Sequence, residues 1–269
     1  METIAEIEAA AREAAERAGR LVRERFASSR ATYRLKDDAL DLVTETDRAS
    51  ETAILEVLQR RFPDHAVVAE ESGAHGAGDA RWLVDPLDGT TNFAHAYPQV
   101  SISIAFERAG RTEFGLVLDP IRGETFIGRR GGGATLNDTP LGVSSVADLG
   151  AALLATGFPY DRRRHADFYL SYFKAFMLRT QGMRRAGSAA LDLCFVAAGR
   201  VDGFWEWSLH AWDVAAGALI VEEAGGRVSD FHGAVLDPFG GQILATNGRI
   251  HEAMHEVIAG IGTKHPDRA

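Results

Sequence analysis

The chain opens with apolar residues that recur every three or four positions from Ile4 to Phe26. This spacing predicts a long amphipathic helix. A second helix is predicted from about Arg48 to Phe62, because a helical pattern returns there and Pro63 follows it. The segment between the two helices, RLKDDALDLVTETD, is predicted to be a loop with a short extended piece.

Strand patterns follow the second helix. Two short apolar runs, HAVVAEES and RWLVDPLD, are predicted to be buried strands that end in acidic residues, and the glycine-rich segment between them is predicted to be a mobile surface loop. Three further segments alternate apolar and polar residues and break at Gly or Pro, which predicts an antiparallel meander: VSISIAFE, FGLVLDP and ETFIGRR.

Beyond about residue 150 the pattern changes, because helical periods alternate with short apolar runs. Helices are predicted at ADFYLSYFKAFMLRT, SAALDLCFVAAG, WDVAAGALIVEEAGG and RIHEAMHEVIAGI, and strands at AALLATGF, DGFWEW, RVSDF and QILATN. This alternation is typical of an α/β arrangement. We therefore expect an α+β half over 1–145 that carries most of the functional acids and an α/β half over 146–269, with an active site where they meet.

Composition narrows the choice of partners. The 269 residues are 46% hydrophobic, and 29 Lys and Arg face 38 Asp and Glu, for a net charge of −9. Such a surface should repel nucleic acid and anionic membranes, so an anionic substrate must be recruited locally, through cations. The first 26 residues carry acids from Glu2 onward and resemble neither a signal peptide nor a membrane span, which favours the cytoplasm.

The single cysteine, Cys194, excludes an internal disulfide and every multi-cysteine metal site. It lies in the apolar segment SAALDLCFVAAG, and no activating charge is close to it in sequence. We therefore expect Cys194 to serve the packing of the core.

Acidic residues stand at the ends of four apolar segments: Asp47 in LVTETD, Glu70 and Glu71 in VVAEES, Asp85 and Asp88 in LVDPLD, and Asp213 in HAWDVAAG. Acids at strand ends and helix starts can point into one cleft, where mutual repulsion would raise their pKa values unless a cation joined them. Ligands that are all oxygen favour a hard ion such as Mg²⁺ over zinc.

Each of these acids also has an ordinary explanation. Asp213 alone would be interpreted as a helix N-cap, AEES as a solvated loop and DPLDG as an Asp–Pro turn. A helix that begins near Gly89, Thr90 and Thr91 adds free backbone N–H groups and the positive end of its dipole beside Asp85 and Asp88. The joint pattern therefore indicates metal ions on one side of the turn and a phosphate on the other.

DPLDGTTNF and WDVAAGALIVEEAGG, in this order, resemble the two signatures of the inositol monophosphatase family, which is part of a superfamily of Mg²⁺-dependent, lithium-sensitive phosphatases. The resemblance runs nearly end to end, because four other segments also fit the family pattern: DLVTETD, AEES, RRAGSAALDLCFVAAGRVDGFWEW and ILATN. It implies the family fold, a layered α/β/α/β/α sandwich, and a homodimer.

The resemblance also implies a set of metal ligands. Glu70, Asp85 and the backbone carbonyl of Leu87 would bind one Mg²⁺ ion, and Asp85, Asp88 and Asp213 would bind a second. Glu70 would help to hold a third ion, so that each site takes two or three.

Other residues match the family's catalytic and substrate positions. Thr90, supported by Asp47, would orient or activate the attacking water, with Glu70 also in the catalytic set. The remaining matches surround the substrate, with the amides of Gly89 and Thr90 on the phosphate: Asp88, Gly89, Thr90, Gly187, Ser188, Ala189, Glu206 and Asp213. Lys36 matches a position in a loop near the site.

The activity implied is hydrolysis of a phosphate monoester, myo-inositol 1-phosphate, by direct attack of water. No GxxxxGK loop is present, which argues against nucleotide-driven transfer. Fructose 1,6-bisphosphate, histidinol phosphate and a 3′-phosphoadenosine nucleotide remain alternative substrates, and a mainly regulatory binding role, for example with the transcription machinery, remains an alternative function. Glu206 favours a polyol because a carboxylate accepts hydrogen bonds from ring hydroxyls, unless it is only the outward residue between Trp205 and Trp207.

Overall fold

The computed structural model describes residues 2–26, 33–35, 42–262 and 266 of the chain, so Lys36 lies outside the described residues. The helices are α1 (Ile4–Phe26), α2 (Glu45–Arg61), α3 (Thr90–Ala94), α4 (Ala166–Met177), α5 (Ala189–Ala197), α6 (Ala211–Glu223) and α7 (His251–Ile261). Two 3₁₀ turns are formed by Leu149–Ala151 and Tyr160–Arg163.

The strands form three sheets. In the first half they are β1 (Tyr33–Leu35), β2 (Leu42–Thr44), β3 (Ala66–Ala69), β4 (Gly73–His75), β5 (Ala80–Asp88), β6 (Ser101–Arg108), β7 (Arg111–Asp119), β8 (Glu124–Arg129), β9 (Gly133–Leu136) and β10 (Thr139–Pro140). In the second half they are β11 (Leu153–Thr156), β12 (Gly182–Arg184), β13 (Gly203–Trp207), β14 (Arg227–Ser229) and β15 (Gln242–Thr246).

Strands β1 and β2 pair with each other, and the other strands make one large and one small sheet. The large sheet has the order β10-β9-β8-β7-β6-β5-β3-β4 and is antiparallel except where β3 and β5 run parallel. The small sheet has the order β12-β11-β13-β15-β14, with β11 parallel to both of its neighbours. The predicted meander is confirmed as β6, β7 and β8.

Five layers result from the way these elements bury their apolar faces. Helices α1 and α2 cover the outer face of the large sheet, through a core that joins Ile7 and Val57 to Ile104. Helices α5 and α6 fill the space between the two sheets, where Leu193 and Ile220 are buried. Helices α4 and α7 cover the outer face of the small sheet. The predicted α/β/α/β/α sandwich is confirmed.

Helix α2 begins three residues before the predicted start. Thr44 has an extended backbone, and its hydroxyl accepts hydrogen bonds from the amides of Thr46 and Asp47. In return, the Thr44 amide donates to Asp47 Oδ2 at 2.8 Å, which completes a capping box. The cap satisfies amides that the first turn would otherwise leave without partners, so the helix begins at Glu45.

Two other segments differ from the sequence-based expectation. The glycine-rich stretch predicted to be a loop contributes Gly73–His75 as an edge strand on β3, while residues 76–79 are exposed. The segment GMRRAG, for which the sequence pattern predicted no element, contributes Gly182–Arg184 as β12 beside β11. Cys194 is buried in the core between the sheets, as expected. In the described part of the chain no helix is both long and apolar enough to cross a membrane, and the cytoplasmic location stays a prediction.

Candidate active site

A cavity of about 400 Å³ lies where the two halves of the chain meet. The first half contributes Glu70 and the segment 85–92 to its lining, and the second half contributes three segments, 158–162, 185–189 and 206–213. All of the residues predicted for the site line this cavity except Asp47, which lies behind Thr90. The structure therefore brings together acids that are up to 143 positions apart in sequence, from Glu70 to Asp213.

The turn at the end of β5 places two of the acids. The register between β5 and β6 shifts between Asp85 and Asp88, so the strand bulges at this point. Gly89 follows with a φ of 94°, and a Cβ atom there would stand 2.8 Å from the carbonyl oxygen of Gln99. Only glycine combines this left-handed backbone with so close an approach, so the residue is fixed by the turn.

Helix α3 starts at Thr90, directly after this turn. The Thr90 hydroxyl lies 2.8 Å from Asp47 Oδ1 and 3.2 Å from the carbonyl oxygen of Leu87. Burial raises the pKa of Asp47, against hydrogen bonds from Thr44 and Thr90 that lower it. Asp47 thereby couples the N-terminus of α2 to Thr90.

Asp88 joins the two halves through a single oxygen. Its Oδ2 accepts hydrogen bonds from the Ser188 hydroxyl at 2.6 Å, the Ala190 amide at 2.9 Å and the Ser101 hydroxyl at 3.2 Å. Ser188 also caps α5 by accepting from the Leu191 amide. Burial raises the pKa of Asp88 to about 6 although these bonds oppose it.

Asp85 and Asp213 are held in a similar way. Asp85 Oδ1 accepts from the Leu87 amide at 3.0 Å, and Asp213 Oδ2 accepts from the His210 amide at 2.7 Å. Asp213 therefore lies in the first turn of α6 and reaches back to its N-cap residue, and it is not itself the cap. Among the described residues, none donates a hydrogen bond to the second oxygen of Asp85, Asp88 or Asp213.

The electrostatics of the cavity fit a bound cation. Burial raises the pKa of Asp85 well above its usual value, and the charges of Glu70, Asp88 and Asp213 raise it further. Within residues 2–26, 33–35, 42–262 and 266, no group of three or more Asp, Glu, His or Cys side chains is already arranged to hold a metal ion. A cation would therefore have to draw the carboxylates together. All of the donors are oxygen atoms, which suits a hard divalent ion.

A comparison with known families decides the identity of the fold and the broad activity. The model of the inositol monophosphatase family matches residues 3–263 of the chain. The chain belongs to this family. Family membership makes the protein a phosphatase, and a phosphate monoester fits the family's chemistry.

Individual relatives of the inositol monophosphatase family agree with this assignment. The chain is 50% identical over 226 residues to an inositol-1-monophosphatase of Synechocystis sp., which covers 83% of this chain and 79% of that protein. It is 48% identical over 227 residues to the Nus factor SuhB of Pseudomonas aeruginosa, which covers 82% and 84%. The solved inositol monophosphatase of Anabaena (Nostoc) sp. PCC 7120 matches with a TM-score of 0.85 and 43% identity, over 93% of this chain and 94% of that chain.

Glu206 lines the cavity together with Glu70, Asp85, Asp88 and Asp213. Its neighbours Trp205 and Trp207 pack into the outer core of the small sheet, so Glu206 points to the opposite side, but it is buried rather than solvated. A Cβ atom on Gly157 would stand 2.0 Å from Glu206 Oε1, which shows that the carboxyl group rests directly on the backbone there. Burial raises the pKa of Glu206 to about 8, against the positive charge of Arg185 that lowers it. The protonated group can donate as well as accept hydrogen bonds.

Sequence reasoning missed two kinds of site residue. It expected positive charge to recruit an anionic substrate but named no arginine for this role, and the structure places Arg162 and Arg185 on the cavity lining. It also missed Asn92, whose side-chain nitrogen donates to the carbonyl oxygens of Gln99, Ala186 and Gly187 at 2.8, 2.9 and 3.1 Å. The sequence offered only one signal for Asn92, its place in DPLDGTTNF, because two of these three partners are more than 90 positions away.

Proposed function

We propose that this inositol monophosphatase relative hydrolyses inositol monophosphate, with myo-inositol 1-phosphate as substrate, in a reaction that depends on Mg²⁺. One observation carries the proposal most strongly: Asp85, Asp88 and Asp213 each fix one carboxylate oxygen by hydrogen bonds from the protein. Their second oxygens receive none from the described residues, and all three side chains line one cavity. Such a set is suited to bind divalent cations beside a phosphate.

Glu70, Asp85 and the Leu87 carbonyl would hold one ion, and Asp85, Asp88 and Asp213 would hold another. Glu70 would contribute to a third. When bound, Mg²⁺ neutralises charge on the phosphate oxygens and lowers the pKa of a coordinated water. Zinc is disfavoured as the physiological ion, since no nitrogen or sulfur ligand belongs to the proposed set.

The protein groups supply orientation. Thr90, held by Asp47 Oδ1 at 2.8 Å, would position the attacking water on one side of the phosphorus. The backbone amides of Gly89 and Thr90 would bind phosphate oxygens. Water attacks directly, so the scheme needs no phosphorylated side chain.

The second half would recognise the alcohol part of the substrate. Gly187, Ser188 and Ala189 lie on the cavity at the start of α5, and Glu206 lies on β13. A buried carboxyl group exchanges hydrogen bonds well with ring hydroxyls, which favours a polyol. Fructose 1,6-bisphosphate, histidinol phosphate and a 3′-phosphoadenosine nucleotide are the alternative substrates.

The proposal is tested by measuring phosphate release from a panel of phosphomonoesters as Mg²⁺ is titrated into the full-length protein. The expected result is the highest kcat/KM for inositol 1-phosphate, a strict requirement for Mg²⁺ and inhibition by lithium. Full turnover in excess EDTA would contradict the metal requirement, and a higher kcat/KM for an alternative phosphate would replace the substrate.

A second candidate function is a regulatory binding role, with a homodimer as the expected assembly in either case. The observation behind it is that a 48% identical relative is named Nus factor SuhB. The net charge of −9 argues against direct contact with nucleic acid. A chain that binds Mg²⁺ but releases no phosphate from any member of the panel would favour this role over catalysis.

A further inference from the structure

Helix α2 presents three buried side chains to the site on one face. Asp47, Ser50 and Glu51 follow the spacing i, i+3 and i+4, which places them side by side along the helix. Each forms a hydrogen bond to a different segment around the cavity. Asp47 already has a part in the proposed function, whereas Ser50 and Glu51 have none.

Ser50 acts on the turn that carries Asp85. Its hydroxyl, which is fully buried, donates to the Pro86 carbonyl oxygen at 2.7 Å. That carbonyl and the Leu87 amide belong to one planar peptide group, and the Leu87 amide donates to Asp85 Oδ1 at 3.0 Å. The bond from Ser50 therefore fixes the rotation of the peptide that holds Asp85.

Glu51 acts on the segment that carries Glu70. Its Oε2 accepts from the Glu71 amide at 2.9 Å, and the side chain is buried. The Glu70 amide itself donates to the Val84 carbonyl oxygen at 3.1 Å, next to Asp85. Glu70 thus has its backbone fixed on both sides, by β5 before it and by α2 after it.

We propose that Ser50 and Glu51 are positioning residues that set the affinity of the cavity for divalent cations. The inference rests on the proposed function, because it assumes that Asp85 and Glu70 ligate Mg²⁺. Hydrogen bonds to ligating side chains hold those ligands in orientation, and losing one lowers metal affinity by about 10–100-fold in proteins. Ser50 and Glu51 bond to the backbone that carries the ligands, so the lower end of this range is expected. A purely structural role would instead change stability and leave the affinity of the folded protein unaltered.

The test is a calorimetric titration of Mg²⁺ into the metal-stripped, full-length protein without substrate. Ser50→Ala and Glu51→Leu each remove one bond, and we expect the Kd for Mg²⁺ to rise about tenfold or more. Glu51→Gln keeps an acceptor oxygen and should restore a Kd close to that of the wild type. Thr52→Val is the matched control, because its exposed hydroxyl donates to the Arg48 carbonyl oxygen within the same helix.

Thermal unfolding in EDTA separates the two roles. If Ser50→Ala and Glu51→Leu lower Tm without changing the Kd of the folded protein, the inference is overturned. If Glu51→Leu does not fold, the comparison of Ser50→Ala with Thr52→Val decides alone. A wild type that binds no Mg²⁺ would overturn the proposed function and the inference with it, whereas normal binding by both variants would overturn the inference only.

Discussion

The two halves of the molecule contribute different chemistry to the cavity. The large-sheet half supplies an acidic floor that consists of Glu70, Asp85 and Asp88. Asp85 Oδ1 accepts from the Leu87 amide at 3.0 Å, and the Glu70 amide donates to the Val84 carbonyl oxygen at 3.1 Å. The small-sheet half supplies Asp213 and a wall that consists of aromatic side chains, Arg162, Arg185 and Glu206. The floor is suited to concentrating charge, and the wall to distinguishing one alcohol from another. Substitutions on the two sides should therefore change different kinetic constants.

The largest expected effect comes from the floor. Asp88→Asn removes a charge while leaving an oxygen that can accept from Ser188 and Ala190. We expect kcat to fall by at least about 10²-fold for every substrate, the scale of losing one strong electrostatic contact to a transition state. Steady-state assays across the phosphomonoester panel check this, with the exposed Asp79→Asn as control. A loss confined to one substrate would instead assign Asp88 to substrate recognition, the role expected of the wall.

The wall should give a selective effect. Glu206→Leu keeps the volume and removes the hydrogen bonds to substrate hydroxyls, so kcat/KM for inositol 1-phosphate should fall by roughly 10- to 100-fold. Glu206→Gln should lose less, because its amide still donates and accepts. An aryl phosphate without hydroxyls is the control substrate and should be nearly unaffected. Equal losses on both substrates would show that Glu206 supports the metal-binding acids or the folded structure and does not recognise the substrate.

The Asn92 side chain donates to carbonyl oxygens of both halves, so its substitution tests how much these bonds between the halves stabilise the fold. Asn92→Asp would place a carboxylate against three carbonyl oxygens, and we expect unfolding to become easier by about 1–3 kcal/mol. Asn137→Asp is the matched control, because its amide bonds to a carbonyl within the first half. Urea unfolding measures both. Similar destabilisation by the two variants would argue that the cross-half bonds have no special weight.

The last expected effect appears only at acid pH and concerns the second half alone. Burial lowers the pKa of His251 to about 4, with Arg227 as the next cause, and the ring lies between the Ser229 and Thr246 hydroxyls. The unfolded chain therefore binds the proton more readily, and stability should fall as pH drops from about 6.5 toward 4. His251→Gln cannot take the proton, so its stability should vary less with pH over this range in EDTA. A curve as steep as that of the wild type would assign the titration to other groups.

The sequence predicted the elements whose signals are local. The apolar stripe from Ile4 to Phe26 predicted both the start and the end of α1 correctly, because burial of one helix face follows directly from the spacing. Gly73–His75 was missed as a strand, since its glycine-rich sequence favours a loop and only pairing with β3 makes it extended. Tertiary context overrode local preference there.

Candidate site residues divide in the same way. Of the six acids found at segment ends, Glu70, Asp85, Asp88 and Asp213 line one cavity, while Asp47 and Glu71 are not among its lining residues. Their roles in metal binding and catalysis stay predictions. The contacts of Ser101, Ala190 and Asn92 were not found, because they depend on how two sheets pack against the same pair of helices. Short polar side chains at such junctions look like any other serine or asparagine in sequence.

The three bonds to Asp88 Oδ2 have a thermodynamic consequence. Because two of the donors, Ser188 and Ala190, belong to the opposite half, any cation that Asp88 holds is linked to the docking of the halves. A ligand that binds only the docked arrangement stabilises it by RT ln(1 + [L]/Kd). If the proposed cation binds there, its concentration would therefore set how firmly the two halves are held together as well as how much of the site is occupied.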